Sequence, residues 1–437
     1  MFLKVSYKTF LILLAFFFAI GLSYLSIRTA LASYYVDQGT LEGYERATRF
    51  DPSNPENWRR LGDFWQFDLQ HADPQRAIQA YRTALSLNRN SAQAWMGLAS
   101  AYEGQGKVNA ASDALFNAKG VYPKSADVLW RYANFLLRRG ELDAAFREAR
   151  QALENEPQRA WDAVSLFQRF DPDFSNLVDR LIPRHETAYL DVIWGLDREG
   201  RASDALQVWD RLYKLDKELP PHRIATGTLQ LTQVSLFTLV DQLVSQGYTT
   251  EASRVWKEAL DFIHFSWQGD PRDSLVWDGG FETDLTDGLA WRIDAPPGSV
   301  ARFSNTIKHS GTRALEIKFD GKHNVDFHGV CQFVVVEPDT IYDFSAWLRT
   351  ENITTDRGMF LSLRTPQEKE SESVTSELTG THSWTRVGFR WKASRNVGLL
   401  QICLMRLPSH NLYNRIAGMV WLDDVQLVPV KAETGSL

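Results

Sequence analysis

The sequence predicts a multidomain chain: an N-terminal transmembrane helix, then an all-α solenoid of helical repeats, then an all-β sandwich. Three observations predict this. Residues 9–27 (TFLILLAFFFAIGLSYLSI) contain no charge. From about 37 to 265, large and small apolar residues recur at a 34-residue interval. After Gly269-Asp270-Pro271 the apolar period shortens to simple alternation. Composition agrees with a folded chain of several domains, at 437 residues, 44% hydrophobic and 23% charged. Lys plus Arg number 48 against 54 Asp plus Glu, a net charge of −6. That lacks the basic excess that draws a protein to a nucleic-acid backbone, so no nucleic-acid partner is expected. Two Cys, Cys331 and Cys403, exclude a disulfide framework and a Cys-rich zinc site.

The first element is the apolar run. Nineteen residues at about 1.5 Å each just cross a hydrocarbon layer of roughly 30 Å. Lys4 and Lys8 precede the run and Arg28 follows it. Positive-inside asymmetry then leaves residues 1–8 as a cytoplasmic tail and exports everything after residue 30. Ala30-Leu31-Ala32 also fits a signal-peptidase site, so cleavage after Ala32 is the competing reading. The apolar run is longer than a leader needs, which favours a retained signal anchor.

The second element spans residues 37–265. Trp95, Leu98, Ala99, Tyr102, Ala111, Leu115, Ala118 and Pro123 form one set. Shifted by 34 it becomes Leu129, Tyr132, Ala133, Leu136, Ala145, Ala149, Ala152 and Pro157. Gly106 and Gly140 each stand five residues before the key Ala, and Gly200 with Ala205 and Gly247 with Ala252 repeat that spacing. Large residues fill the space between helices, Ala lets helices approach, and Gly ends a helix in a left-handed cap. The pattern resembles the tetratricopeptide repeat, a helix–turn–helix unit. Trp58, Leu61, Gly62, Trp65, Ala77, Tyr81 and Ala84 make a weaker copy, and Tyr44, Ala47 and Pro52 look like the second half of another. About five full units result, two of them irregular around Trp161–Pro183 and Pro220-Pro221. The resemblance implies a protein or peptide partner on the concave face. Nine of the 15 Trp precede residue 270, and those at repeat positions are expected in the core.

Residues 266–275 read as a linker and 276–430 as the β domain, with 431–437 a tail. Eight strand-like stretches follow: 299–304, 314–319, 329–336, 341–348, 359–364, 385–391, 399–405 and 419–428. Gly279-Gly280-Phe281-Glu282 opens the domain, Ser310-Gly311-Thr312-Arg313-Ala314-Leu315 follows, and Leu422-Asp423-Asp424-Val425-Gln426-Leu427 closes it. This order is similar to the jelly-roll, galactose-binding-like carbohydrate-binding modules. The resemblance implies a candidate structural calcium on Glu282 and Asp424, near the first and last strands. It also implies glycan contact, for which the loop residues His323, Asn324, Asp326, Phe327 and His328 are candidates, with Trp391 and Trp347 as available aromatics. Cys331 and Cys403 lie on predicted strands. An exported location permits a bond, but sequence leaves open whether those strands are neighbours.

Nothing predicts catalysis. His185-Glu186-Thr187-Ala188-Tyr189 begins like a zinc-protease helix but lacks the second His. No Gly-rich phosphate loop or Gly-x-Ser-x-Gly is present. The chain reads as a non-enzymatic bacterial inner-membrane protein, single-pass, with its C-terminal region in the periplasm or outside the cell. Its expected role is an adaptor in assembly or export of a cell-envelope polysaccharide or exopolysaccharide. The alternative is a structural scaffold of an envelope secretion complex, without sugar binding.

Overall fold

The computed structural model describes residues 7–218, 226–265, 274–366 and 372–430. Residues 266–273 of the expected 266–275 linker, the Pro220-Pro221 break, residues 1–6 of the expected 1–8 tail, and the 431–437 tail lie outside the described residues. The chain forms two compact units, Met1–Ala188 and Tyr189–Leu437.

The first unit is all helix. α1 (Tyr7–Val36) is long and apolar enough to cross a membrane, and none of its apolar window is buried. Antiparallel pairs follow: α2 (Leu41–Phe50), α3 (Pro55–Phe67) with α4 (Pro74–Leu87), α5 (Ala92–Gly104) with α6 (Val108–Val121), and α7 (Ala126–Arg138) with α8 (Leu142–Asn155). α9 (Ala160–Phe167) and α10 (Phe174–Leu181) are short, in the degenerate stretch. Local signals start these helices: Asn54, Asp73, Ser91 and Ser125 each accept a first-turn N–H through the side chain, and Pro55 and Pro74 open α3 and α4. Gly106 and Gly140 adopt φ of +69° and +77°. The N–H of Lys107 reaches back to Tyr102 O, and that of Glu141 to Leu136 O. These are the left-handed caps expected from the Gly-to-Ala spacing, and Ala111 and Ala145 beyond them are fully buried. The large Trp positions repeat their bonding too. Trp58 Nε1 donates to Pro52 O and Trp95 Nε1 to Arg89 O, both at 2.9 Å.

The second unit joins four helices to the sandwich. They are α11 (Glu186–Arg198), α12 (Ala202–Glu218), α13 (Thr226–Ser245) and α14 (Thr249–Phe262). Trp209 and Trp256 are buried, as repeat positions predict. The sandwich has ten strands among the described residues: β1 (Arg292–Ile293), β2 (Ser299–Ser304), β3 (Ala314–Asp320), β4 (Phe327–Val335), β5 (Ile341–Ile353), β6 (Phe360–Arg364), β7 (Glu372–Val374), β8 (Gly380–Lys392), β9 (Leu399–Arg406) and β10 (Ala417–Pro429). One sheet runs β1-β4-β9-β6-β7 and the other β2-β3-β10-β5-β8, all pairs antiparallel. All eight expected strands form. β1 and β7, two and three residues long, are edge strands too short to show an alternating pattern. Residues Ser274 and Leu275, expected in the linker, already belong to the sandwich: Leu275 N–H donates to Leu427 O. Helix α14 meets this domain through Trp256, whose ring stands edge-on to Trp277 at 5.4 Å. Arg292 of β1 pairs with Asp241 of α13.

Candidate functional site

In the repeat array the first helices α5 and α7 line a groove of about 570 Å³. Met96 and Trp130 supply apolar surface, one repeat apart. Ser100 and Asn134 supply polar atoms, also 34 residues apart, and Gln66 on α3 precedes them by the same step. Gln66 Nε2 reaches Ser100 Oγ at 3.4 Å, and Asn134, whose Nδ2 donates to Trp130 O, continues this positional ladder one step on. Charges of both signs flank it. Arg138 grips Glu103 through two bonds of 2.7 and 2.9 Å, and Arg131 and Asp127 line the same groove. The arrangement offers side-chain hydrogen bonds and one broad aromatic surface to an extended chain. The groove residues had no individual signal in the sequence. The 34-residue step from Gln66 is the signal that finds them.

The sandwich core holds two of the residues expected to meet a sugar. Phe327 is fully buried against Phe319, and Trp391 is 7% exposed and packs on Tyr342. Neither ring offers a free face. The reason is strand parity: Val387, Phe389 and Trp391 of β8 all point into the core. Asn324 is structural as well. Its side chain holds Ser409 through two bonds, one of 2.8 Å and one of 3.0 Å. His323, Asp326 and His328 are exposed, with His323 Nδ1 2.7 Å from Asp320. Their loop packs against residues 407–416, where Ile416 N–H donates to His323 O. That second loop carries Leu412 and Tyr413 at 89% and 85% exposure. Tyr413 is the aromatic that sequence reasoning missed. It lies outside any strand, so alternation gives no sign of it.

The outward face of the other sheet carries a second aromatic group. His309 stacks on Trp347 at 4.0 Å and meets Trp384 edge-on at 5.6 Å. Arg386 is the cross-strand partner of Trp347 and is exposed.

The acids near the first and last strands do come together. Glu282 accepts from Thr312 N–H at 2.7 Å and from the Thr312 hydroxyl. Asp424 takes His309 Nδ1 at 2.5 Å and the Ser310 hydroxyl at 2.8 Å. Asp423 accepts N–H bonds from His309, Ser310 and Asp424. Burial pushes the Asp423 carboxyl up to about 6, and the Asp424 charge adds to it. Asp278, Phe281 and Asp424 all hold φ near +50°, the cost of folding two turns onto a β-bulge between Asp423 and Gln426. Calcium requires six to eight oxygen ligands. Here both oxygens of each of these three carboxylates already accept a protein donor. Among the described residues no three His, Cys, Asp or Glu side chains converge as a metal set. As placed, these acids pin the 309–313 turn to the ends of the sandwich through those bonds.

Cys331 and Cys403 are directly opposed on β4 and β9 and form a disulfide. The bond sits on the outward side of its sheet, beside Phe360 and Met405.

Comparisons with known proteins follow this division. The tetratricopeptide-repeat family profile matches residues 68–119. A crystal structure of MamA protein is 18% identical, with a TM-score of 0.28, and covers 46% of this chain and 97% of its own. A family 16 carbohydrate-binding module-2 is 17% identical with a TM-score of 0.26, covering 35% and 99%. The CBM22-1 xylan-binding domain of Paenibacillus barcinonensis Xyn10C is 14% identical with a TM-score of 0.27, covering 38% and 99%. Among curated proteins, the tRNA(Glu)-specific nuclease WapA of Bacillus subtilis subsp. natto is 26% identical over 163 residues. The match takes in 35% of this chain and only 7% of that relative's length. Residues 68–119 thus match the tetratricopeptide repeat, within a region of paired helices, and the C-terminal part is a two-sheet β sandwich.

Proposed function

We propose that this chain is a membrane-anchored, exported adaptor that assists assembly or export of a cell-envelope polysaccharide or exopolysaccharide. The repeats hold a protein segment and the sandwich contacts glycan. The observation that carries the reading is the groove over α5 and α7, with Trp130 beside the Gln66–Ser100–Asn134 ladder. It presents polar groups at a regular step, as an extended peptide would need. For the glycan, the exposed Tyr413, on the loop whose Ile416 bonds His323 O, replaces Trp391 as the stacking candidate. We propose no catalytic role, since the nuclease's activity belongs to a protein of which this chain spans 7%.

The test is crosslinking in intact cells with wild type and with Trp130→Ala plus Asn134→Ala, alongside polysaccharide pull-down with Tyr413→Ala. The reading expects glycosyl-transport proteins to be recovered by wild type and lost in the groove variant. It also expects polysaccharide retention that falls with Tyr413→Ala. Unrelated secretion components, with no polysaccharide retained, would support the scaffold alternative. The burial of Phe327 and Trp391 favours that alternative, because it removes two rings from the glycan surface.

A further inference from the structure

Helix α1 does not stop at the membrane boundary. It continues unbroken from the apolar run to Val36, about 14 Å beyond Ile27 at 1.5 Å per residue. This extension packs on α2 as the first helix of a repeat packs on its second. Ala32 is 2% exposed and Ala47 is fully buried. Tyr35 stacks on Phe50 at 5.3 Å and 6°. A Cβ on Gly43 would lie 2.4 Å from Tyr35 O, so only glycine permits the approach. Gly39, at φ +66°, then occupies the same place as the glycines that end later first helices. Arg28, the first charge after the apolar run, bonds Asp51 at 2.5 Å and Ser53 at 2.7 Å. Asp51 is 7% exposed, and removing Arg28 would leave that carboxylate buried without its ion partner.

The geometry sets what faces the lipid. α2 runs back toward the apolar run, and its C-cap Asp51 is tied to Arg28. The ends of α4 and α6 fall on the same edge, because each pair reverses direction once. That edge carries Phe50, Leu87 and Tyr122 at 37%, 44% and 55% exposure. Arg49, Arg89 and Lys124 stand beside them, all exposed. The neighbouring acids are already paired: Asp51 with Arg28, Glu56 with Arg59 and Arg60, and Asp127 with Arg159. Arg49 pairs with Glu45 at 3.8 Å, whereas Arg89 and Lys124 have no ion partner among the described residues. Exposed apolar side chains mixed with these cations suit a layer of anionic phospholipid headgroups over apolar chains.

We infer that the last turns of the membrane helix are the first helix of the first repeat, so that the anchor is retained and the inter-repeat edge carrying Arg49, Arg89 and Lys124 docks on anionic phospholipid headgroups. This rests on the membrane-anchor reading proposed above.

The experiment uses the full chain in nanodiscs of phosphatidylcholine alone or mixed with phosphatidylglycerol. Both native cysteines are paired, so an introduced cysteine takes a spin label alone. Labels go at Leu14→Cys in the apolar run, Asn90→Cys on the proposed edge, and Gln105→Cys on the opposite edge. Accessibility to an aqueous nickel relaxant is read at each, and the mass of the membrane-extracted chain is measured. The expected result is an intact N-terminus, Leu14 shielded, Gln105 open, and Asn90 shielded only with phosphatidylglycerol. Adding Arg89→Gln should lower the docked-to-free ratio about fivefold. Leu14 shielded with Asn90 as open as Gln105 overturns the docking and leaves the anchor standing. Leu14 open overturns the anchor and the docking together. A mature chain beginning at Ser33 overturns retention.

Discussion

Gly97→Ala is expected to destabilise the repeat array even though alanine is the better helix former. Gly97 lies inside α5, where alanine should favour the helix by about 1 kcal/mol. An added Cβ, however, would stand 2.4 Å from Cε1 and 2.5 Å from Cζ of Tyr81. The ring has no free direction. Tyr81 is fully buried, and Gly62 confines it from α3, where a Cβ would come within 2.8 Å. Its hydroxyl donates to Asp63 Oδ1 at 2.7 Å, so moving the ring also breaks that bond. Overpacking of this kind costs about 1–3 kcal/mol, with about 1 kcal/mol more for the hydrogen bond. The net expectation is a loss of roughly 1–3 kcal/mol. Gly120→Ala in α6 is the control, because a Cβ there meets nothing within 4 Å. It should gain up to about 1 kcal/mol. Urea denaturation of both variants reads the difference as opposite shifts in midpoint. A Gly97→Ala array as stable as the Gly120→Ala array would refute the reasoning about Tyr81.

Three further outcomes are expected. Cys331→Ser should lower sandwich stability by about 2–5 kcal/mol, because the bond closes a separation of 72 residues, and non-reducing peptide mapping should recover the linked pair from wild type. Burial raises Asp197 to about 8, and neither of its carboxylate oxygens has a partner among the described residues. A carboxyl raised on folding binds its proton more tightly in the native state, so stability should fall as pH rises from about 4 to 8; Asp197→Asn should flatten that slope, and an unchanged slope in thermal scans would exclude Asp197 as its source. Chelation by EDTA should leave the melting temperature of the chain unchanged, since protein donors already satisfy Glu282, Asp423 and Asp424; a fall of several degrees would restore the calcium expected from the resemblance.

What sequence made legible follows the reach of each signal. The Gly-to-Ala spacing reports backbone geometry, since a left-handed cap admits few residues, and Gly106, Gly140, Gly200 and Gly247 all hold positive φ. Strand alternation reports burial, and eight strands appeared where it placed them. Signals shorter than one period fail, which is why β1 and β7 were invisible. The packing of the end of α1 on α2 was hidden for a different reason. Residues 9–27 carry no charge on any side and Arg28 is the one charge between them and Val36, so the one-sided stripe that marks a repeat helix is absent. Only Tyr44, Ala47 and Pro52, on the partner helix, betrayed the unit.

The glycan candidates show why residue type alone misleads on a strand. Trp384 and Trp391 share β8, and both are large aromatic residues. Seven positions separate them, an odd number, so the pleat sends them to opposite sides. Trp391 meets Tyr342 in the core, and Trp384 meets His309 on the outer surface. Fixing the parity needs one buried residue, and Val387 at 4% exposure provides it. The same argument moves Phe327 inward: Val330 and Val334 of β4 are core, and the bulge between Phe327 and Val330 returns Phe327 to their side. A one-residue bulge is not visible in composition or alternation, so no reading of the loop at 323–328 could have assigned that ring. The exposed residues that remain there, His323, Asp326 and His328, are polar, and a stacking ring for the proposed glycan contact would come from the neighbouring loop through Tyr413.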